Sequence, residues 1–213
     1  FSISENGTNY LNQILPSNNI MLSRLGTFNR GNGFNAQDRD SCFTIVSCSY
    51  IRKVKRIDLI FDALLKVKNV NMKWIHIGEG IIEKDYVEKV KSYIKQNSTG
   101  DFEVQFAGDW SNDEVLSFYE KSNIDCFINL SSSEGIPVSI MEVMSFGVPC
   151  IATDVGGTSE IVNNDNGYLI SADSSPEEIA KVIKDFCSLS KEDRLKKRRA
   201  AYKMWNENYN AET

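Results

Sequence analysis

The chain has 213 residues, of which 41% are hydrophobic and 25% are charged, so it can bury one sizeable core. Its net charge of −5 at pH 7 argues against a nucleic-acid partner, because binding to nucleic acid needs a basic face. Apolar runs stay shorter than the roughly 18 residues of a membrane span, so no transmembrane helix is predicted.

Residues 1–42 are polar and rich in Asn, Gly and Ser, and we interpret them as the end of a preceding domain and a linker. From residue 43 onward, short apolar runs typical of strands alternate with amphipathic runs typical of helices. The predicted strands are 43–49, 72–78, 102–108, 124–130, 149–154 and 167–170. The predicted helices between them are 55–67, 81–97, 111–121, 137–147 and 157–162.

This alternation predicts an α/β fold, namely a Rossmann-like parallel sheet flanked by helices. A capping box at Ser175–Glu178 predicts one more helix, which ends near Leu189 and closes a main domain of residues 43–189. Residues 190–213 form a basic C-terminal helix that we expect to be truncated. Parallel open sheets bind ligands beyond the carboxyl ends of their strands, so the site is expected in the loops that follow the strands.

The cysteines and the lone histidine give no sign of a metal site. No two of the five cysteines have CxxC spacing, and His76, in the middle of a predicted strand, is expected to be a core residue. Cysteines in apolar runs favour reduced thiols and a cytoplasmic location. The chain has neither an initial Met nor a signal-peptide pattern, so we expect it to be a segment of a longer protein.

Glu142 is the first of two carboxylates that indicate a ligand. It lies in the predicted helix 137–147 among apolar residues, where a lone carboxylate is costly unless a hydrogen-bond donor reaches it. No Lys or Arg lies between Lys121 and Lys181, so no cationic partner is close in sequence. A ligand hydroxyl is one candidate partner, and a backbone group or water is the alternative.

Glu134 is the second carboxylate that indicates a ligand, and it lies just before the same predicted helix. Gly135 and Pro137 follow it, a pattern typical of a helix N-terminus with outward-facing backbone N–H groups. Such an end attracts phosphate. The alternative is that Glu134 only caps the helix or interacts with its dipole.

The stretch from Glu134 to Glu142 resembles the E-x7-E signature of retaining glycosyltransferases of family four, which have the GT-B fold. The similarity continues in SFGVPCIAT and VGGTSEIV downstream, and VSCSYIRKVKRIDLIFDALL is similar to the family's first strand, phosphate loop and helix. It covers about residues 43–205. The resemblance implies that residues 43–189 are the nucleotide-sugar donor-binding domain, the C-terminal half of a GT-B enzyme.

The resemblance also implies roles for individual residues. Lys55 matches a phosphate-binding lysine and Glu134 a residue that contacts the transferred sugar, and these two are the predicted catalytic residues. The alternative for Lys55 is a solvated charge. Glu142 would accept hydrogen bonds from the donor's ribose. The other predicted donor-binding residues are Ser49, Arg52, Gly108, Trp110, Gly135, Ile136, Pro137, Val138, Gly156 and Gly157.

One position departs from the family's pattern. Ser49 and Tyr50 stand where the family usually has an arginine, and Arg52 is the candidate replacement. Glycines at Gly156 and Gly157, and Gly108 beside Trp110, are also compatible with plain turns.

The implied reaction is transfer of a sugar, with retention of anomeric configuration, from a nucleoside diphosphate sugar to a hydroxyl acceptor in cell-surface polysaccharide or glycolipid biosynthesis. Family members of this type need no metal, and no dinucleotide fingerprint is present, so no cofactor is expected. The acceptor domain would precede residue 1, which would leave this segment inactive alone. The basic run 196–199 is expected to be solvated or to contact the inner face of an anionic membrane.

Three alternatives remain for the function. A GT-B sugar epimerase would need different carboxylates and a histidine, and a phosphorylase-like enzyme would need a pyridoxal lysine site. A nucleotide-binding regulatory module would bind the same ligands without chemistry. Hydrolysis of a nucleotide sugar by the full-length protein would distinguish an enzyme from such a module.

Overall fold

The computed structural model describes residues 1–15, 20–29, 42–80, 82–100 and 102–212. Its strands form one six-stranded sheet in the order β3-β2-β1-β4-β5-β6, and each pairing between neighbours is parallel. The strands are β1 (Phe43–Cys48), β2 (Met72–Ile77), β3 (Glu103–Gly108), β4 (Cys126–Asn129), β5 (Cys150–Thr153) and β6 (Gly167–Ile170). The predicted Rossmann-like sheet is confirmed, with each strand within its predicted range.

The helices are α1 (Glu5–Ile14), α2 (Ile57–Lys66), α3 (Lys84–Asn97), α4 (Asn112–Lys121), α5 (Val138–Met144), α6 (Pro176–Cys187) and α7 (Lys191–Asn208). Capping boxes begin α4 at Ser111 and α6 at Ser175, the second as predicted. The predicted helix 157–162 is wrong, because only a short 3-10 turn forms at Thr158–Glu160. Asn166 ends it, since its side chain bonds the Asn163 amide and the Ile161 carbonyl.

Hydrophobic residues cover both faces of the sheet. One core packs α2, α3 and α6 against strand residues such as Ile45 and Trp74. The other packs α4, α5 and α7 against their strand neighbours Val46 and Ile75. Successive strand side chains point to opposite faces, so a sheet buried on both faces needs continuous apolar strands, as the sequence has.

The N-terminal segment contains α1, a helix that the sequence did not predict. No residue of α1 is buried, and its sequence contains Asn and Gly residues that are poor helix formers. Its N-terminus is held by the Glu160 carboxylate, which accepts hydrogen bonds from the amides of Glu5 (2.9 Å) and Asn6 (3.0 Å). Within the predicted linker, the stretch NRGNGFNAQDRD at 29–40 is typical of a loop, and it lies outside the described residues from position 30. The domain boundaries at 42 and 189 stay predictions.

The basic run 196–199 lies on α7, and only part of it faces solvent. Lys196 is exposed and pairs with Glu192 at 2.9 Å. Lys197 lies 4.5 Å from the centre of the Tyr168 ring, and the Arg198 Nη1 atom donates to the Ile124 carbonyl at 2.7 Å. The predicted solvated face is therefore wrong for Lys197 and Arg198, because the charged ends of both side chains contact other groups of the protein. Contact of Lys196 and Arg199 with a membrane stays a prediction. None of the described helices is both long and apolar enough to cross a bilayer.

Candidate functional site

A cleft of about 490 Å³ opens at the carboxyl edge of the sheet. The loops after β1, β2, β3 and β4 line it together with the start of α5, around the point where β1 and β4 are neighbours and the strand order reverses. Ligands of open parallel sheets bind at such a point. The cleft brings together nine predicted site residues: Ser49, Arg52, Lys55, Trp110, Glu134, Ile136, Pro137, Val138 and Glu142.

Lys55 and Glu134 form an ion pair in this cleft. Lys55 ends a 3-10 turn after β1, Glu134 follows β4, and the Lys55 Nζ atom lies 2.6 Å from the Glu134 Oε1 atom. Burial alone would raise the pKa of Glu134, but hydrogen bonds from Lys55, Ser131 and Asn129 and the charge of Lys55 lower it overall. Glu134 is therefore a carboxylate at neutral pH.

Asn129 orients Glu134 and was not predicted as a site residue. It is the last residue of β4, and its Nδ2 atom donates to the Glu134 Oε1 atom at 3.1 Å. Its Oδ1 atom accepts from the Ser131 amide (3.0 Å) and hydroxyl (2.6 Å), which fixes the plane of the side chain. The available signal was a polar residue that ends an apolar strand at the ligand-binding edge.

Glu142 faces the cleft from a helix whose other central residues are buried. Its Oε1 atom accepts a hydrogen bond of 2.6 Å from the Nδ2 atom of Asn112, the first residue of α4. Burial raises the pKa of Glu142, and the bond from Asn112 opposes that rise. The partner is thus a neutral side chain 30 residues away in sequence, where a ligand hydroxyl, a backbone group or water was expected.

The backbone at the start of α5 has the expected form of a helix N-terminus. The helix begins at Val138, one residue after Pro137, and the Ile140 amide donates to the Pro137 carbonyl at 3.0 Å. The amides of Val138 and Ser139 precede the helical ladder, and both residues line the cleft.

Gly156 and Gly157 let two loops approach closely behind the cleft. Gly156 has φ of 55°, and a Cβ atom there would lie 1.8 Å from the Glu134 carbonyl oxygen. The Gly157 amide donates to the Gly135 carbonyl at 2.8 Å. These glycines, Gly135 and Gly108 do not line the described cleft. Their contact with a donor stays a prediction, and the packing gives Gly156 and Gly157 a structural reason to be glycine.

Arg52 lines the cleft, but its guanidinium also has a protein partner. The Arg52 Nε atom lies 3.3 Å from the Glu83 Oε1 atom, and the Lys53 amide donates to the other Glu83 oxygen at 3.1 Å. Ser49 lines the cleft near the same turn.

The neighbouring Arg56 does not line the cleft. Its guanidinium connects the loops after β4 and β6, because it donates to the carbonyls of Ser131 (3.2 Å) and Ala172 (2.7 Å).

His76 is a core residue, as predicted. It is fully buried, and its Nδ1 atom lies 2.9 Å from the Ser47 hydroxyl. Burial, with a smaller contribution from the charge of Lys91, lowers the pKa of His76 to about 3, so the ring is neutral at pH 7. Across the described ranges, His, Cys, Asp and Glu form no group of three suited to a metal ion.

Known proteins resemble the chain in sequence over part of their length. It is 32% identical over 127 residues to the N-acetyl-alpha-D-glucosaminyl L-malate synthase of Bacillus anthracis, which covers 59% of this chain and 31% of that protein. It is 30% identical over 117 residues to the lipopolysaccharide 1,6-galactosyltransferase of Escherichia coli K12, covering 54% and 31%. The chain spans about a third of the length of these relatives.

Solved structures share the fold. A glycosyltransferase from Rickettsia africae superposes with a TM-score of 0.81 at 20% identity, covering 99% of this chain and 59% of that one. The Anabaena protein HepE, solved in complex with UDP and glucose, superposes with a TM-score of 0.66 at 20% identity, covering 80% and 45%. The predicted GT-B half-fold is thereby confirmed. The sequence profile of the family described as "Glycosyl transferases group 1" matches residues 34–204, and the chain therefore belongs to that family.

Proposed function

We propose that this chain is the donor-binding domain of a retaining glycosyltransferase that transfers a sugar from a nucleoside diphosphate sugar to a hydroxyl acceptor. The observation that carries the proposal is the pairing of Lys55 with Glu134 at 2.6 Å, in a cleft whose wall also holds Glu142. One cation and two carboxylates at this edge of a parallel sheet match the three parts of such a donor, which are the diphosphate, the sugar and the ribose.

In this proposal Lys55 and the backbone amides at the start of α5 bind the diphosphate. Negative charge grows on the diphosphate as it leaves the sugar, and a fixed cation with oriented N–H groups stabilises that charge. No metal ion is proposed, because Lys55 supplies the positive charge. The bond from Asn112 leaves Glu142 able to accept further hydrogen bonds, since a carboxylate has about four acceptor positions.

The complex of HepE with UDP and glucose supports a nucleotide sugar as ligand. The names of the relatives, among them the lipopolysaccharide 1,6-galactosyltransferase, support a role in polysaccharide or glycolipid biosynthesis. Within the full-length protein, we propose that a preceding domain binds the acceptor, so that the chain alone binds donor without transferring sugar.

A thermal-shift panel tests the proposal. The chain is heated with UDP, GDP, ADP, their glucose conjugates and the matching nucleosides. A ligand at a hundredfold excess over its dissociation constant should add about 2.7 kcal/mol to the free energy of unfolding. We expect one nucleoside diphosphate and its sugar conjugate to stabilise the chain more than the nucleoside does. No stabilisation by any diphosphate would contradict the proposal. Binding without turnover by the full-length protein would favour a regulatory module.

A further inference from the structure

Two groups that we assign to different parts of the donor contact each other. The Lys55 ammonium, proposed to bind phosphate, donates to the Glu134 carboxylate at 2.6 Å. The side chains are 25% and 11% exposed, so water screens the pair only in part. A phosphate that approaches Lys55 therefore meets an ammonium that already has an anionic partner.

We propose that Glu134 competes with the ligand's phosphate for Lys55, and so weakens the binding of a bare nucleoside diphosphate relative to one that carries a sugar. This inference rests on the proposed function. It makes Glu134 a specificity determinant that discriminates between the intact donor and the diphosphate left after transfer.

Lys55 is the partner that can move. Glu134 is held by the bond from Asn129, whose own amide is fixed by two bonds from Ser131. Lys55 carries its ammonium on a flexible four-carbon stem and has three donor hydrogens. The ammonium can turn away from Glu134 toward the phosphate or bridge the two groups. Bridging brings two anions close together, so either arrangement lowers the affinity for phosphate.

A sugar on the diphosphate would remove this cost. When Lys55 turns toward phosphate, the mostly buried Glu134 carboxylate keeps its bond from Asn129 but loses its cation. A buried acceptor that loses its donor is unfavourable, and hydroxyl groups on the unit joined to the phosphate can replace that donor. A bare nucleoside diphosphate has no hydroxyl groups beyond its terminal phosphate that could replace the donor. Lys55 then returns to Glu134, and the spent diphosphate is released more easily.

The test is calorimetric titration of the chain with UDP, uridine and UDP-glucose, or the matching set for the base that the thermal-shift panel selects. Glu134→Gln should bind UDP roughly threefold to tenfold more tightly than wild type, should bind UDP-glucose no more tightly, and should leave uridine unchanged. Glu134→Asp, whose shorter side chain draws the carboxylate away from Lys55, should shift UDP affinity in the same direction if Glu134→Gln does not fold.

Two controls separate competition from general repulsion. Asp109→Asn removes another carboxylate from the cleft wall without touching the Lys55–Glu134 pair, so it should tighten UDP binding less than Glu134→Gln does. In a Lys55→Ala background, Glu134→Gln should give no gain in UDP affinity, because the shared cation is absent.

The result that overturns the inference is UDP binding by Glu134→Gln with wild-type or lower affinity. A gain of equal size in Asp109→Asn, or one that persists without Lys55, also overturns it. If the wild-type chain binds none of the nucleoside diphosphates, the proposed function fails instead.

Discussion

Asn112 and Glu142 join two walls of the cleft through one hydrogen bond. The Asn112 Nδ2 atom, at the start of α4, lies 2.6 Å from the Glu142 Oε1 atom on α5. The bond thereby connects the start of α4 to α5 at the position where we propose that the ribose binds. Asn112 is a positioning residue for Glu142 in this account.

Asn112→Ala should weaken nucleoside and nucleoside diphosphate binding by similar amounts, because both ligands carry the ribose. The bond from Asn112 holds the Glu142 carboxylate in position, and a hydrogen bond to a charged group contributes about 1.5–3 kcal/mol, which is the upper bound on the expected loss of binding free energy. Calorimetric titration with uridine and with UDP measures the two affinities. Asn97→Ala, at an exposed position on α3, is the matched control and should bind both ligands as wild type does. A loss confined to the diphosphate would instead assign Asn112 to phosphate binding.

Glu142→Gln should stabilise the chain at neutral pH while weakening ribose binding. Burial raises the pKa of Glu142 in the folded state, so the folded protein holds this proton at a higher pH than the unfolded chain does. Wild-type stability therefore falls as the pH rises from the ordinary glutamate pKa through the raised value. The amide retains an acceptor for Asn112 and removes the buried charge.

Urea denaturation at several pH values checks this prediction. The excess stability of Glu142→Gln should be present at pH 7 and should vanish at low pH, where Glu142 is protonated in both states. An advantage that is the same at every pH, or a loss of stability at pH 7, would contradict the assigned cause.

Gly156→Ala should displace the loop that carries Glu134. The new Cβ atom would lie 1.8 Å from the Glu134 carbonyl oxygen, at a backbone φ of 55°. Strain at such a position costs about 1–3 kcal/mol, and the clash adds to it. Gly100→Ala has the same kind of strain, at φ of 78°, with nothing within 4 Å of the added atom. Only Gly156→Ala should weaken UDP-glucose binding, and equal effects of the two variants would refute the close-packing role.

The sheet was predictable because strands that are buried on both faces appear in the sequence as continuous apolar runs. Continuous apolar runs gave the strands, and Ser175 gave the start of α6 through local capping chemistry. Helix α1 was not predicted, because it buries no residue and its sequence is rich in poor helix formers such as Asn and Gly, and the Glu160 carboxylate that binds its first amides is about 155 positions away in sequence. The helix wrongly predicted at 157–162 has a local cause, because the Asn166 side chain bonds the backbone at the end of a single turn.

The charged members of the site were predictable, but their partners were not. Glu134 and Glu142 are unusual in their local sequence, whereas Lys55 lies in a basic run and was assigned through the family resemblance, and the cleft brings all three together. Asn112 contacts Glu142 from 30 residues away in sequence, which leaves no local pattern. Asn129 lies only five residues before Glu134, but its one sequence signal is that it is a polar residue ending an apolar strand. The ion pair of Lys55 with Glu134 was also not foreseen, since 79 residues separate the two in sequence.

The central claim is that Lys55 binds the diphosphate of a nucleotide donor, and calorimetry on Lys55→Ala tests it most directly. A charged hydrogen bond contributes about 1.5–3 kcal/mol, so the variant should lose roughly tenfold to a hundredfold in nucleoside diphosphate affinity. Its affinity for the nucleoside should stay within about twofold of wild type. Equal losses for the two ligands, or undiminished diphosphate binding, would contradict the claim and make Arg52 the candidate phosphate ligand.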